Sequence, residues 1–268
     1  MSADPATSRP APPRPAAPRA WLRWTVAVLV WLVVWEIGAR LIGHEVLLVS
    51  PWRVLVRLVE LAPSASFWAT AGYSLARIGV GFLVALALGF VLAWLASLNP
   101  WLGAFVDVPV RLIRSVPVVS VIILILLWAD ASWLSVTVSC LMVTPLVCAN
   151  ATEALATRHQ ALHEFARVFD LSRARRWWAI TLPGLMPFLV AAVRGGAGLA
   201  WKAGVSAEVI GLPRGSVGER LYQAKLYLSS ADLFAWTLVV LVLAVGCEQL
   251  VVWLAGQIQA WLTRRYVR

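Results

Sequence analysis

Charge is scarce in this chain: only 13% of its 268 residues are Asp, Glu, Lys or Arg, against 61% apolar, and the mean hydropathy is +0.80. A soluble domain averages about 45–50% apolar, so a water-borne fold is excluded and the chain belongs in a bilayer. Lysine is nearly absent. Lys202 follows Ala-Trp and Lys225 follows Gln-Ala, so neither closes a G-x-x-x-x-G-K-[ST] loop, and the chain does not hydrolyse ATP itself. His44, His159 and His163 all lie outside the apolar runs, and no His-Glu-x-x-His or Gly-x-Ser-x-Gly occurs, which argues against an intramembrane hydrolase. Cys140, Cys148 and Cys247 fall inside apolar runs without metal-ligand spacing and read as small buried apolar residues. No catalytic residue, metal site or cofactor is expected in this chain.

What is present is a series of apolar runs. A span needs about 20 predominantly apolar residues, because the hydrocarbon core is about 30 Å thick and a helix rises about 1.5 Å per residue. Six stretches qualify: Trp24–Leu41, Ile78–Leu98, an interfacial approach from Trp101 into the run Ser115–Ala129, then Trp133–Ala149, Leu185–Ile210 and Phe234–Ala260. The third is short and lies within reach of Arg111 and Arg114, whose side chains would snorkel to headgroups. Residues 1–20 carry six prolines among Ala and Arg and read as a disordered tail ahead of a membrane domain over 21–268. The first apolar run ends in Gly-Ala-Arg and exceeds an h-region, unlike a cleaved signal peptide.

The formal charge of +10 comes from Arg rather than Lys. Arg9, Arg14, Arg19 and Arg23 precede the first span, Arg158, Arg167, Arg173, Arg175 and Arg176 lie between the fourth and fifth, and Arg264, Arg265 and Arg268 follow the sixth. Six spans put these segments on one side, and the charge bias makes that side, with both termini, cytosolic. Nucleic-acid binding is not expected. The sixteen Trp suit a lipid partner, since indole sits well at the headgroup boundary. On the other side, segment 51–73 has apolar Trp52, Val54, Leu55, Leu58 and Leu61 near helical spacing; it either lies along the outer surface or folds over the spans.

The segment between the fourth and fifth spans, about 150–183, is too long for a turn and too charged for lipid. Leu162, Phe165, Ala166 and Phe169 share one face of a short helix, and Ser172 suits the N-cap of a second. Here the residues resemble the permease subunit of a bacterial ABC importer, whose cytosolic loop carries E-A-A-x3-G-x9-I-x-L-P. Glu164, Phe165 and Ala166 stand at the first three positions, Asp170 at the Gly, and Ile180, Leu182 and Pro183 at the end, with every interval kept. Phe165 and Asp170 depart from the pattern; Asp is among the few residues that tolerate the positive φ a corner Gly adopts. Ser74-Leu75, Arg77, Gly81-Phe82, Ala85 and Gly89, then Gly195, Gly196, Gly198, Ala207 and Glu208, resemble the nitrate, sulfonate and taurine branch.

The resemblance implies an all-α, six-span type I permease fold in the bacterial inner membrane, forming a homodimer. It makes residues of about 154–183 the coupling loop that docks on a cytoplasmic ABC ATPase subunit. An extracytoplasmic solute-binding protein would deliver a small solute such as nitrate, a sulfonate or taurine. A secondary transporter driven by an ion gradient is the alternative; it would show inverted repeats, and none is visible.

Arg194, Lys202 and Glu208 are ionisable at membrane depth, which costs at least about 2.5–3.5 kcal/mol unless they are paired or hydrated. Arg194 and Lys202 lie about 12 Å apart along a helix, nearly on one face, as a cationic strip lining a passage for anions would. Neutralisation by Glu208, Glu36 or Glu248 is the competing reading.

Overall fold

The structure is a computed structural model that describes residues 20–156, 172 and 182–266. Among the described residues there are nine helices and no strand: α1 (Ala20–Ile42), α2 (Pro51–Leu61), α3 (Ala65–Ala96), α4 (Pro100–Ser115), α5 (Val118–Leu126), α6 (Ala131–Ala156), α7 (Leu182–Gly211), α8 (Val217–Leu226) and α9 (Ser230–Tyr266). Five are long and apolar enough to cross a membrane, namely α1, α3, α6, α7 and α9; α4 and α5, bent by 101° between them, add a sixth if the pair is one broken span rather than a re-entrant loop. The bend has a local cause. Val116 precedes Pro117 and is extended at φ −85°, ψ 133°, the conformation that a following proline imposes. Nine residues of α5 rise only about 14 Å, too little to span alone.

The largest departure from expectation is at the second span, which begins at Ala65 rather than Ile78, so that 51–73 is not one external segment. Thr70 and Ser74 lower the hydropathy of these first turns, yet both are buried against protein, where a lipid-based criterion does not apply. Ser64 caps the helix by accepting from the Phe67 N–H at 3.2 Å. Ahead of it, α2 folds over the start of α9: Val54 packs with Ala235, and Arg57 Nε donates to Asp232 Oδ1. This packing is that of a helix folded over the spans, and Trp52, Leu55 and Val59 stay exposed on its other side.

The centre of the bundle is the triple contact of α3, α6 and α7. Ile78, Phe82 and Ala85 meet Val143 and Val147, and Ala192, Ala197, Ala200 and Trp201 close the third side. Small residues set the spacing. A Cβ on Gly81 would fall 2.5 Å from the Val136 carbonyl oxygen, so only glycine lets α3 and α6 approach this closely.

The two ends of the bundle differ. At one end Ala93, Val106, Val110, Cys148, Ala151, Ala154, Leu155 and Leu185 form a cluster where α3 ends, α6 ends and α7 begins, so residues 157–181 join helices at this end. The opposite end carries α2, α8 and the starts of α3 and α9, with Phe67, Ala71, Val217, Trp236 and Val239 packed together.

Candidate functional site

The fifth span, α7, shows two contrasting faces. Ala192, Ala197, Ala200, Trp201, Ala203 and Ala207 are buried against α3, α5 and α6. On the other face Gly184, Pro187, Ala191, Arg194, Gly195, Leu199 and Lys202 are exposed, recurring every three or four residues along one side of the helix. Burial of the bulky Trp201 fixes the rotation of the helix and turns Lys202, its neighbour, outward. Apart from Leu199, this exposed stripe holds small residues and two cations.

Arg194 and Lys202 therefore lie together on the stripe, as the sequence suggested, and neither makes an ion pair among the described residues. Glu208 does not join them. It is fully buried, accepting from Ser74 Oγ at 2.7 Å and from the Gly218 N–H at 3.2 Å, while the Val217 N–H donates to Ser74 Oγ at 2.9 Å. Its carboxyl group sits at the N-terminus of α8, where backbone N–H groups and the helix dipole favour an anion. A Cβ at position 218 would come within 2.3 Å of the Glu208 Cβ, so Gly218 is what admits the carboxylate. Glu208 thus ties α7 to α3 and α8. Ser135 lies beside the same carboxylate, and Arg77 Nε is buried without a hydrogen-bond partner among the described residues, while its guanidinium lies over the rings of Tyr73 at 4.9 Å and Trp133 at 5.4 Å.

Neither of the other two carboxylates named from the sequence makes an ion pair with Lys202 among the described residues. Glu36 is held by Ser50 Oγ and by Arg40 Nε at 2.7 Å. Glu248, half-buried on α9, approaches α7 at Gly198, midway between Arg194 and Lys202; a Cβ there would lie 3.9 Å from its Oε2.

At the end where residues 157–181 join the bundle, a cavity of about 840 Å³ opens between α3, α4 and α6 and is lined by Asp107, Arg111, Arg114, Thr152 and Glu153. Arg111 pairs with Asp107 at 2.6 Å. Of the coupling-loop residues, Glu164, Phe165, Ala166, Asp170 and Ile180 lie outside the described residues, and Leu182 and Pro183 form the first turn of α7. That turn suits a proline, whose missing N–H would have no partner there. Neither the role of Gly218 nor the stacking of Arg77 was read from the sequence. The run Ser216-Val-Gly-Glu, an N-cap followed by a glycine, was the available signal for the first.

The family model for the binding-protein-dependent transport system inner membrane component matches residues 85–266. The chain is 26% identical over 226 residues to the taurine transport system permease protein of Escherichia coli, covering 82% of each. It is 25% identical to the formylaminopyrimidine transport permease protein of Halalkalibacterium halodurans, over 63% of this chain and 68% of that protein. With the putative aliphatic sulfonates transport permease protein of Bacillus subtilis, identity is 24% over 90% of this chain and 88% of the relative.

Proposed function

Because the chain belongs to the family of binding-protein-dependent transport system inner membrane components, we propose that it is the permease subunit of an ATP-driven importer for a small anionic solute. The observation that carries this reading is the α7 stripe: exposed on a single chain, at membrane depth, built of small residues with Arg194 and Lys202. Lipid is a poor cover for such a surface, since unpaired cations there are costly. A second copy of the chain facing it would enclose a hydrated path, and the small residues would leave room for a solute between the two α7 helices.

In this reading an ABC ATPase docks on the coupling loop of about 154–183, with Glu164, Phe165, Ala166, Asp170, Ile180, Leu182 and Pro183 as its coupling residues, the last two passing its motion into α7. The end carrying α2 and α8 then faces the binding protein. ATPase closure and opening would tilt the two copies and expose the stripe to each side in turn. The cations favour a solute that carries an oxyanion group, such as a sulfonate, taurine or nitrate. Taurine and aliphatic sulfonates appear in the names of relatives, but a formylaminopyrimidine permease does too, so most selectivity would reside in the binding protein.

The test is uptake into proteoliposomes that hold the permease and its ATPase, with the binding protein supplied. Lys202→Ala is expected to lower uptake of the anionic solute at equal reconstitution; uptake equal to wild type would remove Lys202 from the path. Glu164→Ala is expected to weaken co-purification of the ATPase and uncouple transport, and retention of both would sink the coupling assignment.

A further inference from the structure

At the end of the bundle bearing α2 and α8, a cavity of about 200 Å³ lies between α2, α8 and the starts of α3 and α9. Arg57, Arg220, Gln223, Tyr227 and Asp232 line its polar side, and Phe67 and Trp236, tilted by 34° with centroids 5.1 Å apart, form part of its apolar wall. The two arginines are not equivalent. Arg57 is satisfied: its Nε donates to Asp232, its Nη1 to Glu60 at 2.9 Å, and Asp232 also accepts from Ser229 Oγ at 2.7 Å. Arg220 makes no ion pair among the described residues, and its Nε is buried there without an acceptor.

A guanidinium has five N–H donors and no acceptor, and its flat fork matches the two oxygens of a carboxylate. With Asp232 committed to Arg57 and Ser229, the lining keeps one positive charge in excess and an unmet donor. The volume is below the roughly 300–1,000 Å³ of small-molecule sites, so it suits a single side-chain carboxylate. Its position also matters. No residue of the α7 stripe lines the cavity, so a solute moving along that stripe would not pass through it. An acidic side chain arriving from a docked protein meets no such objection.

We propose that this cavity is a socket for one Asp or Glu side chain of the extracytoplasmic binding protein, received by Arg220. The inference rests on the reading above, in which this end of the bundle faces that partner. Arg57 and Asp232 keep α2 on α9 and so hold the socket's shape, while Arg220 supplies the contact.

The experiment uses the permease–ATPase complex in nanodiscs and measures the affinity of its cognate binding protein across a salt series. Arg220→Ala is expected to weaken binding by at least about tenfold and to flatten its salt dependence, and Arg220→Glu to weaken it further. Basal ATPase activity and the melting temperature should stay at wild-type values. A scan of acidic residues on the binding protein is expected to find one whose loss weakens binding to the wild type but adds nothing in the Arg220→Ala background. If Arg220→Ala does not assemble, Arg220→Lys, which keeps the charge and loses the fork, should still bind several-fold more weakly. Wild-type affinity in every assembled Arg220 variant would overturn the socket while leaving the permease reading intact. No binding to the wild-type complex would overturn both. Sulfate binding that depends on Arg220, with binding-protein affinity unaffected, would mark a free-oxyanion site and overturn the docking assignment.

Discussion

α1 and α7 both expose long stretches of a membrane-depth helix, but they expose opposite chemistry. On α1 the exposed residues include Trp24, Val26, Leu29, Val30, Trp31, Val33 and Val34, and its buried or half-buried residues come near its end, at Trp35, Glu36, Gly38 and Ala39. Trp35 Nε1 donates to the Val49 carbonyl at 2.9 Å and its ring lies 5.5 Å from that of Phe234. This is the surface that acyl chains cover well. α7 has the lower mean hydropathy, 1.3 against 1.9, and turns Arg194 and Lys202 outward from a surface otherwise made mostly of Gly, Ala and Pro. Exposure alone therefore does not say what a helix faces: the composition of the exposed side separates an apolar surface from one that sets cations among small residues.

Substitutions that swap these chemistries should act very unequally. The largest effect is expected from Lys202→Glu, which on the proposed path would set a negative charge against an anionic solute; uptake in proteoliposomes should fall by about a hundredfold or more, since like-charge contact costs several kcal/mol. On the inner face of the same helix, Glu208→Ala would leave Ser74 Oγ and the Gly218 N–H without their acceptor. A loss of about 1–3 kcal/mol is expected, read as a lower melting temperature of the purified protein. Glu208→Gln, which can still accept from both, should lose less. Arg194→Ala removes one of two cations and should reduce uptake by up to about tenfold with the melting temperature unchanged, as for an exposed polar group. The smallest effect is expected on α1, where Val30→Leu should alter stability by less than about 0.5 kcal/mol and leave uptake at wild type.

The spans were legible in the sequence wherever lipid and protein both demand apolar residues, as along α1, α6, α7 and α9. Legibility failed where protein alone is the solvent. Thr70 and Ser74 are buried in α3, yet their polarity hid its first three turns from any reading based on hydropathy. Glu208 shows the same limit. As a lone carboxylate in an apolar run it was grouped with Arg194 and Lys202, but its partners are Ser74, far back in the chain, and Gly218 on the next helix. Sequence spacing along α7 cannot report either contact. The bend between α4 and α5 was half visible: the shortness of the third span was evident, while its angle depends on how Pro117 directs the chain. The socket around Arg220 brings together residues of four helices from distant parts of the chain, and no local pattern announces it.

The central claim is that the outer face of α7 borders water rather than lipid, and labelling of single cysteines addresses it most directly. With Cys140, Cys148 and Cys247 replaced, Ala191→Cys and Leu199→Cys on α7 and Val30→Cys on α1 would each be exposed to a charged, water-soluble maleimide in the assembled transporter. The account predicts labelling of both α7 positions, changing as ATP and binding protein are supplied, and no labelling on α1. Protection of Ala191→Cys and Leu199→Cys in every state, matching that of Val30→Cys, would contradict it.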